Sequence, residues 1–145
     1  MAAGLGSLND SRPLDAGTYF GGQVVKISGT TAGNLMVCAA DTDIPAGVLQ
    51  SAPAVGLGVS PETDAGTICL AGCATGLAGA AVAVGDNVVL KTAAVSVTNS
   101  TLGTVSVVGT LVPKAAAGWV VGMALTAAAA GEFFDMLVNI RKEPA

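Results

Sequence analysis

Residues Trp119 to Ile140 read WVVGMALTAAAAGEFFDMLVNI, two apolar runs separated by a short segment of small residues. The runs, 119–125 and 132–140, are rich in β-branched and aromatic residues, which favour strands. The small-residue segment between them predicts a turn. Because alanine has the highest helix propensity, residues 124–130 also allow one helical turn capped by Gly131. An isolated helix this short is marginal, so a helical turn and an irregular loop both remain open.

The chain from residue 23 onward repeats this rhythm of short apolar runs between Gly, Pro, Asn or Asp residues. Runs typical of strands are residues 23–28, 34–40, 46–52, 54–59, 66–75 and 88–90. Residues 95–97 and 104–112 flank a polar turn and predict a hairpin. Long amphipathic helices and internal repeats are absent from the sequence. The sequence therefore predicts an all-β fold, a small β-barrel or β-sandwich (tulip-like) domain with an extended N-terminal arm and at most one short helix.

The N-terminal segment differs from the rest of the chain in its residue pattern. Residues 1–23 show neither a helical nor a strand period, and they mix Gly, Ser, Asn, Asp and Pro with Tyr19 and Phe20 near the end. Two adjacent aromatic side chains are poorly placed in water. We therefore expect residues 1–23 to form an extended arm that docks on another subunit or a partner, followed by a β domain over residues 24–145.

The composition predicts extensive contact between protein chains. Hydrophobic residues make up 52% of the 145, but aromatic residues only 3% and charged residues only 11%, well below the roughly 25% charged residues of an average soluble domain. A core of Ala and Val gains less from burial than one of Leu and Phe. A single domain of this kind benefits from neighbours, so we expect a homo-oligomer.

The charge pattern argues against nucleic acid and membrane partners. The net charge is −4 and the six basic residues are scattered, whereas phosphate binding needs clustered Lys and Arg. The uncharged stretches 65–85 and 115–131 are dominated by Gly and Ala, unlike a membrane span. The N-terminus does not resemble a secretory signal, so synthesis in a cytoplasm is expected.

Residues for catalysis or metal binding are scarce. The sequence has no histidine, the side chain most often used as general acid or base. The carboxylate pairs Asp41/Asp43 and Glu62/Asp64 occupy predicted loops and lack further oxygen ligands nearby in sequence. Nucleotide-binding glycine motifs are missing from the glycine-rich stretch 76–85. We expect no enzymatic activity, no cofactor and no metal.

The cysteines, Cys38, Cys69 and Cys73, are odd in number. Without histidine they do not complete a zinc site of the usual type. Unpaired cysteine is among the most buried residue types, which favours three buried thiols over a metal or redox role.

The aromatic residues are the candidate interface residues: Tyr19, Phe20, Trp119, Phe133 and Phe134. Adjacent residues on a strand point to opposite faces. Of Phe133 and Phe134, one side chain therefore enters the core while the other faces outward or into a partner. A sandwich with both faces covered is the alternative.

The chain contains three stretches in order: AGVL (46–49) leading to VGLGV (55–59), LAGAAVAVGDNV (77–88), and VGMAL (121–125) running on to Val138. Together they resemble the capsid cement or head decoration proteins of tailed bacteriophages. The resemblance spans about residues 46 to 140, leaving the arm and the 95–112 hairpin unmatched. It implies a non-enzymatic virion protein on the outer surface of the phage head, commonly a trimer, whose partner is the major capsid protein.

Two other functions fit the sequence. One is a receptor- or glycan-binding β module of a phage tail or other surface structure, which would need exposed aromatic and convergent polar groups in a groove. The other is a major subunit of a filament or shell. Both share the prediction that function lies in the protein surface.

Overall fold

A computed structural model describes residues 7–15, 17–40, 42–51, 58–59, 65–91, 93–99 and 103–144. Over these residues the chain forms strands and turns without a helix, which confirms the all-β prediction. The strands are β1 Ser7–Pro13, β2 Gly17–Thr18, β3 Val24–Ile27, β4 Leu35–Val37, β5 Gly47–Ser51, β6 Gly58–Val59, β7 Ala65–Leu77, β8 Asn87–Leu90, β9 Val95–Asn99, β10 Gly103–Val107, β11 Leu111–Pro113, β12 Gly118–Ala124 and β13 Phe133–Glu143.

One nine-stranded sheet dominates the fold. Its strand order is β11-β8-β12-β13-β7-β5-β3-β4, with β1 also paired to β7. The sheet curls into a half-barrel, and the strands β9 and β10 form a small second sheet. Strands β2 and β6 make a further two-stranded ladder. The half-barrel agrees with the predicted small β-barrel or sandwich.

The C-terminal hairpin forms as the sequence predicts, since β12 pairs antiparallel with β13. The alanine-rich connection is not helical. Ala128 and Val82 exchange two backbone hydrogen bonds, with N···O distances of 3.0 and 2.9 Å. These bonds use the Ala128 N–H and C=O groups that a helical turn would need for itself. A long-range contact therefore decides between the two local alternatives in favour of the loop.

Strand β7 organises the sheet. Strand β5 pairs with residues 67–69 of β7, β1 pairs with residues 65–72, and β13 pairs with residues 72–77. Because β5 pairs with one side of β7, β1 and β13 pair one after the other along its opposite side. They meet at Gly72, whose φ of +98° is accessible to glycine at little cost. The positive φ at Gly72 lets β7 pair with β1 over one part of its length and with β13 over the other.

The 95–112 region splits between two sheets. Strands β9 and β10 form the predicted hairpin, with its tip at 100–102 outside the described residues. Gly109, with φ of +75°, ends the run, and β11 then joins β8 in the large sheet. The hairpin covers Leu77 and Phe20 through Val97 and Val107. The hairpin therefore covers part of the outer face of the large sheet.

The described part of the predicted arm packs on its own chain. Strand β1 pairs with β7 over its whole length, and Leu14 is fully buried and bridges to Leu35. Residues 1–6 lie outside the described residues. Docking of residues 1–23 on another subunit stays a prediction, as does a domain boundary at residue 23.

Candidate interaction surfaces

Phe133 and Phe134 lie on opposite faces of β13. Phe134 is 3% exposed and packs in the main core, where Gly76 leaves room for its ring. Phe133 is 52% exposed. The structure thus has the arrangement predicted from strand alternation, with one ring in the core and one facing outward, and not the two-sided core.

Tyr19 and Phe20 are both buried in the chain's own core. The Tyr19 hydroxyl donates to the backbone oxygen of Asp15 at 2.7 Å, and the backbone N–H of Phe20 donates to Oε1 of Gln23 at 2.7 Å. Burial, with a smaller contribution from the Asp15 carboxylate, raises the pKa of Tyr19 to about 12. In this structure neither side chain offers a free surface, and their role in an interface stays a prediction.

Trp119 is half-buried beside a groove of about 260 Å³. The groove is lined by apolar residues of β8 and β11 and by the loop 115–118, with Asp43 as its charged member. The carboxylate of Asp43 is already engaged by Lys26 at 2.6 Å and by the backbone N–H groups of Ala39 and Ala40. The groove therefore presents little of the convergent polar chemistry that a glycan site needs. The receptor- or glycan-binding alternative stays a prediction.

Asp43 behaves as the turn residue that the sequence predicts. Burial raises the pKa of its carboxyl, but the hydrogen bond from Lys26 and the two backbone hydrogen bonds outweigh that effect, and the pKa is lowered. Its predicted companion Asp41, like the pair Glu62/Asp64, lies outside the described residues.

Met123 and Leu137 form an exposed apolar pair on the outer face of the large sheet. They are direct register partners on β12 and β13, so their side chains project from the same face. Both are partly exposed, at 37% and 38%. We call them the outer pair. Sequence reasoning selected the aromatic residues and missed these two, although period-2 alternation from the buried Phe134 identifies Leu137 as outward-facing.

An apolar groove of about 320 Å³ opens on the other half of the sheet. We call it the β1–β3 groove; its lining residues are Asp10, Arg12, Ile27, Gly33, Asn34, Leu35, Ala46, Ile68 and Leu70. Ile27, at its rim, is 73% exposed. Asp10 and Arg12 form an ion pair there, Nε to Oδ2, at 2.9 Å. The lining residues come from distant parts of the chain, so no local sequence pattern predicts the groove.

Asp15 fixes the turn that forms one wall of the β1–β3 groove. Its carboxylate accepts hydrogen bonds from Ser28 Oγ at 2.5 Å, Asn34 Nδ2 at 3.0 Å and Thr30 Oγ1 at 3.3 Å. The hydrogen bond from Ser28 is the main cause of a lowered pKa of Asp15; burial opposes it, and the other donors add to it. The turn between β3 and β4 is thereby tied to the segment before β2.

The cysteines are buried free thiols, as predicted. Burial raises the pKa of the Cys38 thiol to about 12 and also raises that of Cys69. Among the described residues, Cys, Asp and Glu side chains nowhere gather in a group of three or more able to hold a metal ion. The same part of the chain contains no helix of the length and apolarity that a membrane crossing requires.

The sequence matches no protein-family model and no curated protein. Its fold is similar to a solved structure, the N base of the head fibre gp8.5 of bacteriophage phi29. The two share 19% sequence identity with a TM-score of 0.55, and the match covers 91% of this chain and 95% of that chain. At this identity the similarity establishes that the two chains share their overall fold.

Proposed function

We propose that this chain is a structural protein of a bacteriophage virion that binds the outer surface of the major capsid protein lattice and stabilises the head. The observation that carries the proposal is the fold shared with the N base of a phage head fibre over nearly the full length of both chains. Fold alone does not specify function, so the surface must fit the same role.

The surface chemistry supports the proposal. Charged residues are 11% of the chain, and the outer pair, Met123 and Leu137, exposes apolar side chains on one face of the large sheet. Such contacts bury area without leaving a charge unpaired. A weak contact repeated over a symmetric shell gains strength because each bound copy can raise the effective concentration of its neighbours. We propose that the outer pair contributes to the contact with the capsid.

The proposed role is mechanical, and it includes self-association, with a trimer favoured. The protein would be made in the host cytoplasm and would end on the outer surface of the phage head. Neither catalysis nor a cofactor is part of this role, and neither nucleic acid nor a membrane is a partner.

Co-sedimentation with empty heads that lack this protein tests the proposal. We expect saturable binding at a fixed number of copies per head. The double variant Met123→Thr/Leu137→Thr keeps strand-forming residues and should weaken binding at least about tenfold, the effect of losing roughly 1.4 kcal/mol of contact. Ile44→Thr, at another exposed apolar position, is the matched control. Absence of the wild-type protein from the pelleted heads at every concentration would overturn the proposal.

A further inference from the structure

Phe133 and the β1–β3 groove are two exposed apolar sites beside opposite ends of strand β7. Phe133 pairs with Leu77 at the C-terminal end of β7, whereas the groove is lined by Ile68 and Leu70 in its first half. At about 3.3 Å per residue the two features lie roughly 30 Å apart along the strand. Within one chain the ring therefore does not reach the groove.

We infer that Phe133 of one copy inserts into the β1–β3 groove of a second copy. The groove, at about 320 Å³, is near the lower end of the range of about 300–1,000 Å³ typical of small-ligand sites. A cavity of about 150 Å³ already holds a benzene-sized ring, so the groove has room for the ring of Phe133. An aromatic ring entering an apolar pocket is the usual centre of a protein–protein contact. The inference rests on the proposed self-association and is tested without capsids.

A carboxylate beside the ring can pair with the guanidinium group beside the groove. Glu132 is exposed and immediately precedes Phe133, and Asp135 follows two residues later. At the groove, Arg12 is 54% exposed and uses Nε to pair with Asp10. A guanidinium group has five N–H donors in a planar fork, so Arg12 can bind a second carboxylate while it keeps Asp10. With Phe133 in the groove, Glu132 supplies that carboxylate.

The wall of the groove is set before the second copy arrives. Asp15 holds the turn containing Gly33 and Asn34 through its bonds to Ser28 and Asn34. A preformed wall lowers the ordering cost of association. Two copies exchanging both contacts form a dimer, and contacts that link successive copies form a ring.

Sedimentation velocity of the full chain tests the contact. Wild-type protein should form an oligomer whose dissociation constant rises at least about 30-fold on Phe133→Ser, the effect of truncating a central aromatic anchor. Val84→Ser, at an exposed apolar position outside both strand β13 and the groove lining, should leave the dissociation constant unchanged. Ala46→Leu fills the groove and should also prevent self-association. Circular dichroism and thermal unfolding establish that each variant is folded.

Mixing the two deficient variants gives the sharpest result. Phe133→Ser retains the groove and Ala46→Leu retains the ring, so an equimolar mixture should form one-to-one dimers although neither variant associates alone. The charge reversals Arg12→Glu and Glu132→Arg should each weaken association, and the double reversal should restore it. Unchanged oligomers in Phe133→Ser and Ala46→Leu, a mixture that stays monomeric, or a wild type that is monomeric throughout would overturn the inference. Capsid binding in any of these cases would leave the proposed role on the phage head intact. A monomeric wild type would remove the proposed self-association together with this contact.

Discussion

Phe133 and Phe134 are neighbours in sequence, yet one ring is solvent-exposed and the other is buried in the main core of the half-barrel. Strand alternation causes this difference. We therefore expect Phe134 to contribute mainly to stability and Phe133 mainly to association.

Alanine substitution of each residue should show that separation. Phe134→Ala removes a core ring and should lower the free energy of unfolding by about 3–5 kcal/mol. Phe133→Ala changes an exposed position and should alter it by no more than about 0.5 kcal/mol. Urea unfolding monitored by circular dichroism measures both, with equal losses arguing against the assigned faces.

The hydrogen bonds to Asp15 make stability depend on pH. The pKa of Asp15 is lowered in the folded protein, below an unfolded value of about 3.9, so this carboxylate stabilises the fold above about pH 4. That stabilisation disappears as the pH falls through the folded pKa.

Asp15→Asn should therefore cost about 1.5–3 kcal/mol at pH 7, the range for hydrogen bonds to a charged group. The difference from wild type should shrink below about pH 4. Lys142→Gln, at an exposed charged position outside the proposed contacts, is the control and should have little effect at pH 7. Unfolding free energies at pH 7 and pH 3 measure the effect, and a cost that does not vary with pH would argue against a role for the carboxylate charge.

Thr110 carries a buried hydroxyl without a hydrogen-bond partner among the described residues. Burying an unpaired hydroxyl costs about 1–3 kcal/mol. Thr110→Val keeps the shape and removes that cost, so we expect equal or higher stability, by up to about 1 kcal/mol. Thr126→Val is the opposite case because the Thr126 hydroxyl accepts a 2.8 Å bond from the backbone N–H of Asp135. It should be destabilising, and thermal unfolding that ranks the variants in the reverse order would contradict this view.

The three thiols should be unreactive in the folded protein. Cys38, Cys69 and Cys73 are buried, and burial raises the pKa of Cys38 and Cys69, which suppresses the reactive thiolate. At pH 8 we expect negligible labelling by a thiol-specific disulfide reagent until denaturant is added, after which all three react. Rapid labelling of the native chain would show that at least one thiol is accessible.

Local patterns predicted much of the fold. The β12–β13 hairpin, the β9–β10 hairpin and the opposite faces of Phe133 and Phe134 all follow from alternation and turn residues within short windows. These features depend on neighbours in sequence, so one sequence is enough to find them.

Features set by distant contacts were not predictable in this way. The alanine-rich loop is decided by the pairing of Ala128 with Val82, and the described part of the N-terminal segment is held by β7 and by Leu35. The β1–β3 groove likewise gathers Arg12, Ala46 and Ile68 from separate strands and loops. No window of the sequence contains these combinations.

Cryo-electron microscopy of phage heads, with and without added protein, tests the central claim most directly. The account predicts difference density on the outer surface at one repeated lattice position, of a shape that fits the half-barrel with the Met123–Leu137 face toward the shell. Heads that show no added density after incubation at saturating protein, or density confined to the interior, would contradict it.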